Sequence, residues 1–312
     1  MSLSLLCMSH TPLMGFNDPG AEVRAEVDAL FDRARAFVAE VDPTLVVSFG
    51  PDHYNGFFYD LMPPFAICYA GTAVGDFDTA AGPFRVPEEI AAGMAQHAAD
   101  AGIDMTISRG AELDHGAVQI PELVLGGIDR YPTVPVFVNG VAEPFVPMSR
   151  IRLMGEALGR YLASLDERVL LIGSGGLSHD PPVPRWAEAT EAQRTFLLQG
   201  RHPTPEARAA RQQRTISTGL AFAAGEATIQ DLNPEWDTAF LDVCAAGRVE
   251  DFDAYTAARM TTEAGHSSHE VRCWVAACSA MRTAGPYSVQ ERYYRAIPEW
   301  IAGFGALFAT TA

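Results

Sequence analysis

The sequence predicts an α/β fold: a central, mostly parallel or mixed sheet flanked by helices, with a helix-rich C-terminal part. Two local patterns carry that reading. Short, β-branched apolar runs stop abruptly at Gly or Pro, as in Val46-Val47-Ser48-Phe49-Gly50-Pro51, and such runs read as strands buried on both faces. A long amphipathic segment lies between two of them, so strand, helix and strand form a βαβ unit. A third pattern bears on function. Three runs deliver a histidine at once: Ser2-Leu3-Ser4-Leu5-Leu6-Cys7-Met8-Ser9 into His10, the 46–51 run into His53, and Val169-Leu170-Leu171-Ile172-Gly173-Ser174-Gly175-Gly176-Leu177-Ser178 into His179. Ligands of open α/β sheets bind just past the carboxyl ends of strands. One histidine there reads as packing; a recurring one points to chemistry.

Residues 3–8 form the first strand, ended by His10-Thr11-Pro12. A helix follows over 21–41, because Val23, Val27, Leu30, Phe31, Ala34, Phe37 and Val38 fall at helical spacing. The second strand is 44–49, and the βαβ geometry puts His10 and His53 at one edge of the sheet. Residues 54–70 carry Tyr54, Phe57, Phe58, Tyr59, Phe65 and Tyr69, which suit either loop packing with an edge strand or a wall for a flat apolar ligand. The Gly- and Asp-rich 71–87 reads as a loop. A helix over 87–101 begins with Pro87 and the acidic pair Glu88-Glu89; His97 within it reads as surface or packing. Strands are expected at 103–108, 133–139 and 169–172. A short helix is expected at 119–126 with Pro121 in its first turn, and a longer one at 150–165.

The Gly-rich 173–176 lacks the G-x-G-x-x-G register and a helix start, so it does not read as a phosphate cradle. Glycine there allows close backbone approach or turns His179 inward. Residues 185–200, 205–224, 237–246 and 251–261 read as helices, with Arg208, Arg211 and Arg214 on a solvated face that could steer an anion. A turn at Gly265-His266-Ser267-Ser268 precedes a helix opening on His269-Glu270, with Ser268 as its cap. No linker divides the chain, so residues 1–312 are expected to form a single catalytic domain. The apolar C-terminal tail invites contacts between copies, and a homo-oligomer is expected.

The chain has 312 residues, 48 % apolar, and a formal net charge of −17. That charge argues against nucleic acid and anionic membrane as partners. All 22 basic residues are arginine, so a P-loop lysine and a Schiff-base lysine are both excluded. Cys7, Cys68, Cys244, Cys273 and Cys278 are scattered and form no C-x-x-C, which reads as reduced thiols in a cytoplasmic protein. The first residues lack the basic start of a signal peptide, and no run reaches the ~20 apolar residues of a membrane span.

Two histidines at neighbouring strand ends suggest a metal. Two imidazoles with one carboxylate suit non-haem Fe(II), and they also suit Zn with an open position. Glu270, Glu263 and Asp114 are the carboxylate candidates, and spacing does not choose among them. His115 and His179 remain for proton transfer near neutral pH.

Ser9-His10-Thr11-Pro12, Pro51-Asp52-His53-Tyr54-Asn55-Gly56, Asp114-His115-Gly116, the 173–179 stretch and Ser268-His269-Glu270 together resemble the type III extradiol catechol dioxygenases. The resemblance runs through the whole chain, including Arg292-Tyr293-Tyr294-Arg295-Ala296-Ile297-Pro298-Glu299-Trp300. It implies Fe(II) held by His10, His53 and Glu270, with His115 as proton donor and His179 as proton acceptor. It implies a small-molecule catechol and O2 as substrates. The expected catechol is 3-(2,3-dihydroxyphenyl)propionate, with 2,3-dihydroxycinnamate beside it, cleaved to 2-hydroxy-6-oxonona-2,4-dienedioate. An arginine should meet the side-chain carboxylate, and spacing selects none. His266, close to the implied carboxylate ligand, is the residue best placed to disturb the assignment. A Zn-dependent hydrolase and a non-enzymatic binding protein on the same fold are the alternatives; paired acid and base residues argue against the second.

Overall fold

The computed structural model describes residues 2–311. Strand β1 (Ser2–Met8) leads through α1 (Ala21–Val41) to β2 (Leu45–Gly50). Next come β3 (Phe65–Cys68), β4 (Gly71–Val74), β5 (Ala81–Pro83), α2 (Glu88–Asp100), β6 (Thr106–Ser108) and β7 (Ala111–Leu113). They are followed by α3 (His115–Leu125), β8 (Thr133–Val138), α4 (Met148–Leu162) and β9 (Arg168–Ser174). Five helices then run in succession: α5 (Glu191–Gln199), α6 (Pro205–Ala223), α7 (Pro234–Ala245), α8 (Ala257–Ala264) and α9 (Arg272–Arg282). The described chain closes on the hairpin β10 (Tyr287–Ile297) and β11 (Ala302–Thr311).

Eight strands form one mixed sheet in the order β10-β11-β1-β9-β2-β8-β3-β6. Its centre, β1-β9-β2-β8, is parallel throughout. Side chains alternate across it as the two-residue period of a strand requires. Leu3, Leu5, Cys7, Leu45, Val47, Phe49, Val169 and Leu171 enter the core under α2, α4 and α9. Leu6, Met8, Val46, Leu170 and Ile172 enter the opposite core with α1 and α3. The register pairs Met8 with Ser174 and Phe49 with Gly173, so the chain segments leading to His10, His53 and His179 leave the sheet at the same edge. His10 and His53 do not leave neighbouring strands: β9 lies between β1 and β2.

Several expectations change. Residues 71–87 are not only loop: β4 and β5 join β7 in a three-stranded sheet, and a single 3-10 turn at Asp76–Asp78 follows β4. Helix α3 starts at His115, earlier than expected, because the Asp114 carboxylate accepts from Gly116 N at 2.9 Å and caps it. Helix α5 starts only at Glu191, where Thr190 and Gln193 form a capping box. Ser268 does not cap: its hydroxyl donates to Gly265 O at 2.8 Å inside a 3-10 turn, Ser268–Val271, and α9 begins after it. The apolar tail is not a free surface. It is β11, paired on both sides and buried between β10 and β1. All five cysteines are buried and unpaired. No helix among the described residues is long and apolar enough to cross a membrane.

The α4–α9 contact depends on a close approach. A Cβ on Gly155 would stand 2.4 Å from the carbonyl oxygen of Ala276 on α9. Gly→Ala inside a helix ordinarily stabilises by about 0.5–1 kcal/mol. Here we expect Gly155→Ala to destabilise by about 1–3 kcal/mol through overpacking, read as a lower midpoint in chemical denaturation with an unchanged slope. A rise in the midpoint would mean that the two helices part without cost.

Candidate active site

The three strand-end histidines, His115 and Glu270 converge behind one cavity. His10 Nε2 lies 3.4 Å from Glu270 Oε2, and His53 Nε2 lies 3.0 Å from Glu270 Oε1. His179 Nε2 is 3.1 Å from the same Oε1. The far nitrogen of each ring is held by another group. His10 Nδ1 meets the Ser174 hydroxyl at 3.0 Å, and that hydroxyl donates to Gly116 O at 2.6 Å, so its oxygen accepts from the ring. His53 Nδ1 meets Asp114 Oδ2 at 3.1 Å. His115 Nδ1 meets Asp76 Oδ2 at 2.6 Å. His179 Nδ1 meets the carbonyl of Leu177 at 3.0 Å, which fixes the proton on Nδ1. Partners of this kind set which nitrogen faces the site.

Ring planes distinguish the histidine pairs: His10 stands steeply to both His53 and His115, at 80° and 76°. The planes of His10 and His53 are 80° apart, so their in-plane lone pairs can meet at one point. His53 and His115 are stacked, 15° apart with centroids at 4.5 Å. Stacked rings direct their lone pairs along near-parallel lines that do not meet. Hence His115, although its ligand atom lies within 4.8 Å of those of His10 and His53, is poorly aimed to share a cation with His53.

Glu270 is fully buried on the 3-10 turn ahead of α9 and faces imidazoles rather than arginine. Burial opposes its charge, yet His179, His10 and His53 hold it well below the usual carboxylate range. Burial takes His10 down to about 3. Burial alone would lower His53 too, but Asp114 and Glu270 carry it well above its ordinary value. His179 is raised by Glu270 against the effect of burial. An anion among neutral and positive imidazoles is a site in which a dication can replace protons. Two imidazoles and one carboxylate, with each Nδ1 already oriented, fit a divalent transition metal.

The other carboxylate candidates are occupied. Asp114 accepts from His53 N, the His53 ring, Asn55 Nδ2 and Gly116 N. Glu263 pairs with Arg259 one helical turn away. Asp52 holds the turn after β2 by accepting from the backbone of Asn55, Gly56 and Phe57. His266 stands outside the site: it pairs with Asp180 and contacts Arg185, and it lines a separate groove. The adjacent His269 is buried against Phe145 and bonded to Thr261. Two glycines seat the site. At Gly175, with φ +149°, a Cβ would stand 2.6 Å from Glu270 O; at Gly176 it would stand 2.6 Å from the His179 ring.

The cavity in front has a volume of about 320 Å³ and is lined by His10, His53, His115 and His179 at one end. Of the aromatics near 54–70, only Tyr54 reaches it; Phe57, Phe58, Phe65 and Tyr69 are core. Tyr54, Phe77 and Ile301 all line it with positive φ (58°, 48° and 50°), a strained state for side chains of this size that clusters at functional sites. Sequence reasoning missed Asp76, Phe77 and Ile301. Asp76 lay in a stretch read as plain loop, and only its contact with His115 reveals a role.

A family model described as the catalytic LigB subunit of aromatic ring-opening dioxygenase matches residues 4–305. The chain belongs to this family. A 2,3-dihydroxyphenylpropionate/2,3-dihydroxicinnamic acid 1,2-dioxygenase of Rhodococcus globerulus is 59 % identical over 309 residues, 99 % of this chain and 98 % of that protein. One of the same description from Rhodococcus rhodochrous is 60 % identical over 313 residues, covering 100 % and 99 %. One from Azotobacter vinelandii is 50 % identical over 309 residues, covering 99 % of each. The protein is therefore an aromatic ring-opening dioxygenase of a metal-dependent family.

A cation bound at His53 Nε2 must displace the proton that this nitrogen shares with Glu270, while Asp114 at Nδ1 adds to the upward shift of the ring. The upward shift favours the protonated ring, so metal affinity should rise with pH. From about pH 6 to about pH 8 we expect ~10-fold per unit for each proton displaced, with matching proton release in an unbuffered metal titration. Affinity flat across that range would show that no ring proton is displaced.

Proposed function

We propose that this protein is an Fe(II)-dependent extradiol dioxygenase that opens 3-(2,3-dihydroxyphenyl)propionate, and 2,3-dihydroxycinnamate, to 2-hydroxy-6-oxonona-2,4-dienedioate and its unsaturated counterpart. The relatives at 50–60 % identity support the substrate class by their descriptions. The observation that carries the reading is geometric. The Nε2 atoms of a perpendicular His10–His53 pair both face the buried Glu270, and two further histidines, His115 and His179, flank them with each Nδ1 already committed. We assign His10, His53 and Glu270 as metal ligands, His179 as proton acceptor and His115 as proton donor.

When bound, Fe(II) would offer positions for both catechol oxygens and for O2, and a path for electron density between a singlet ring and triplet O2. The chain's own residues do the rest. A catechol must lose protons to chelate. His179 has Nδ1–H committed to Leu177 O, so its Nε2 is the atom that accepts. His115 has Nδ1 committed to Asp76, so it donates from Nε2 to a leaving oxygen. The pair lies on opposite elements, with His115 opening α3 and His179 following β9, which lets acid and base act on different substrate oxygens. Both atoms of O2 end in the product, and no external reductant is consumed. Residues 1–312 act as one catalytic domain, since one sheet takes strands from both ends of the chain. The net charge of −17 and the buried, unpaired cysteines suit a cytoplasmic enzyme.

The test is oxygen uptake by protein loaded anaerobically with Fe(II) and ascorbate, given 3-(2,3-dihydroxyphenyl)propionate, with a Zn(II)-loaded sample beside it. O2 consumed one-for-one with a yellow dienoate, in the iron sample alone, is the expected result. No uptake by folded, iron-replete protein would overturn the assignment. Separately, His115→Gln and His179→Gln should keep iron and lose ~10²–10⁴-fold in turnover, whereas Glu270→Gln should lose iron, measured by metal analysis after gel filtration. Loss of iron from either histidine variant would exchange the roles.

A further inference from the structure

Arg211 is a cation without a counter-ion at the wall of the active-site cavity. It rises from α6, far in sequence from every other residue of the site, and lines the same cavity as the four histidines. Its Nη1 donates to Tyr54 O at 3.2 Å and its Nη2 donates to Asn55 Oδ1. Its guanidinium also lies over the Phe196 ring, 5.3 Å from the centroid. Burial pulls it below its ordinary value, although Asp114, Asp76 and Asp52 attract it from a distance. Those three are committed elsewhere: Asp114 to His53, Asp76 to His115, and Asp52 to the turn after β2. Among the described residues no carboxylate pairs with Arg211.

Removing a charge from water without pairing it is costly. A guanidinium pinned in place by two backbone-loop contacts, with N–H groups left over, is prepared for a planar anion. Its position relative to the histidines is fixed. Asn55, which accepts from Arg211, donates through Nδ2 to Asp114 Oδ2 at 2.9 Å, and Asp114 orients the His53 ring. Elsewhere the cavity wall includes the apolar Leu13, Val183, Phe196 and Ile301. The cavity therefore suits a ligand with a polar head at the histidines, an apolar middle and an anionic tail.

We propose that Arg211 binds the side-chain carboxylate of the catechol and sets the preference for acid-bearing over neutral catechols. This rests on the proposed function and names the residue that reads the substrate's far end. Arg214 also lines the cavity but is exposed and sits one turn further along α6, so it is the comparison.

The experiment compares 3-(2,3-dihydroxyphenyl)propionate with the neutral 3-propylcatechol on Fe(II)-loaded wild type, Arg211→Gln, Arg211→Lys and Arg214→Gln. Two ratios are read: kcat/KM by oxygen uptake, and Kd by anaerobic calorimetry. A ratio cancels any damage common to both ligands. Arg211→Gln should lower the preference for the acid by about 10- to 100-fold in both. Arg211→Lys should retain part of it, because charge remains while the bidentate fork is lost. Arg214→Gln should stay within about threefold, as an exposed charge does. An unchanged ratio in Arg211→Gln, or a larger loss in Arg214→Gln, would overturn the proposal while ring cleavage by wild type left the dioxygenase reading intact. If wild type bound but cleaved neither catechol, that reading would fail, and the Kd ratio would still decide the role of Arg211.

Discussion

Glu270 is a fully buried carboxylate that pairs with no arginine among the described residues. Three imidazole Nε2 atoms are its partners, at 3.0, 3.1 and 3.4 Å. An isolated buried anion is too costly to keep, so this arrangement holds only while the histidines, or a cation in their place, offset the charge. Each of those histidines is in turn fixed at its other nitrogen by Ser174, Asp114 or the Leu177 carbonyl. The site is thus one connected electrostatic unit, and the sheet edge is the frame that keeps its members in reach.

The frame achieves this by economy of register. Parallel strands β1, β9 and β2 end level, so the loops beyond them start from the same plane. The remaining members arrive by packing. Helix α9 lies against β9 and α4, and its preceding turn carries Glu270 under Gly175. The small sheet β5-β4-β7 brings Asp76 to the start of α3, where His115 is waiting. Strain appears at the same place: Tyr54, Phe77 and Ile301 take left-handed backbone conformations at the cavity wall. Tertiary contacts hold these residues in conformations that local preference disfavours.

Stacking geometry gives a physical reason for a division of labour among chemically identical side chains. His10, His53, His115 and His179 share one cavity. The stacked His53 and His115 rings lie in offset, near-parallel planes, which keeps their in-plane lone pairs apart. His115 has a carboxylate behind it, Asp76, which holds its Nδ1.

The sequence by itself determined the central strands β1, β2, β8 and β9, the long helices α1, α2, α4 and α6, and the placing of His10, His53 and His179 beyond strand ends. These are local properties: a two-residue or helical apolar period, broken by Gly or Pro, is written in consecutive residues. It erred where turn chemistry overrode pattern, as at Asp114, whose capping bond starts α3 early, and at the tail, whose apolar run is an internal strand rather than a surface. The tertiary structure alone decided which carboxylate faces the histidines, that Asp76 backs His115, that His266 stands aside, and that Arg211 enters the cavity. Each of these joins residues from distant parts of the chain, and their meeting depends on how helices seat on the sheet, which no local spacing records.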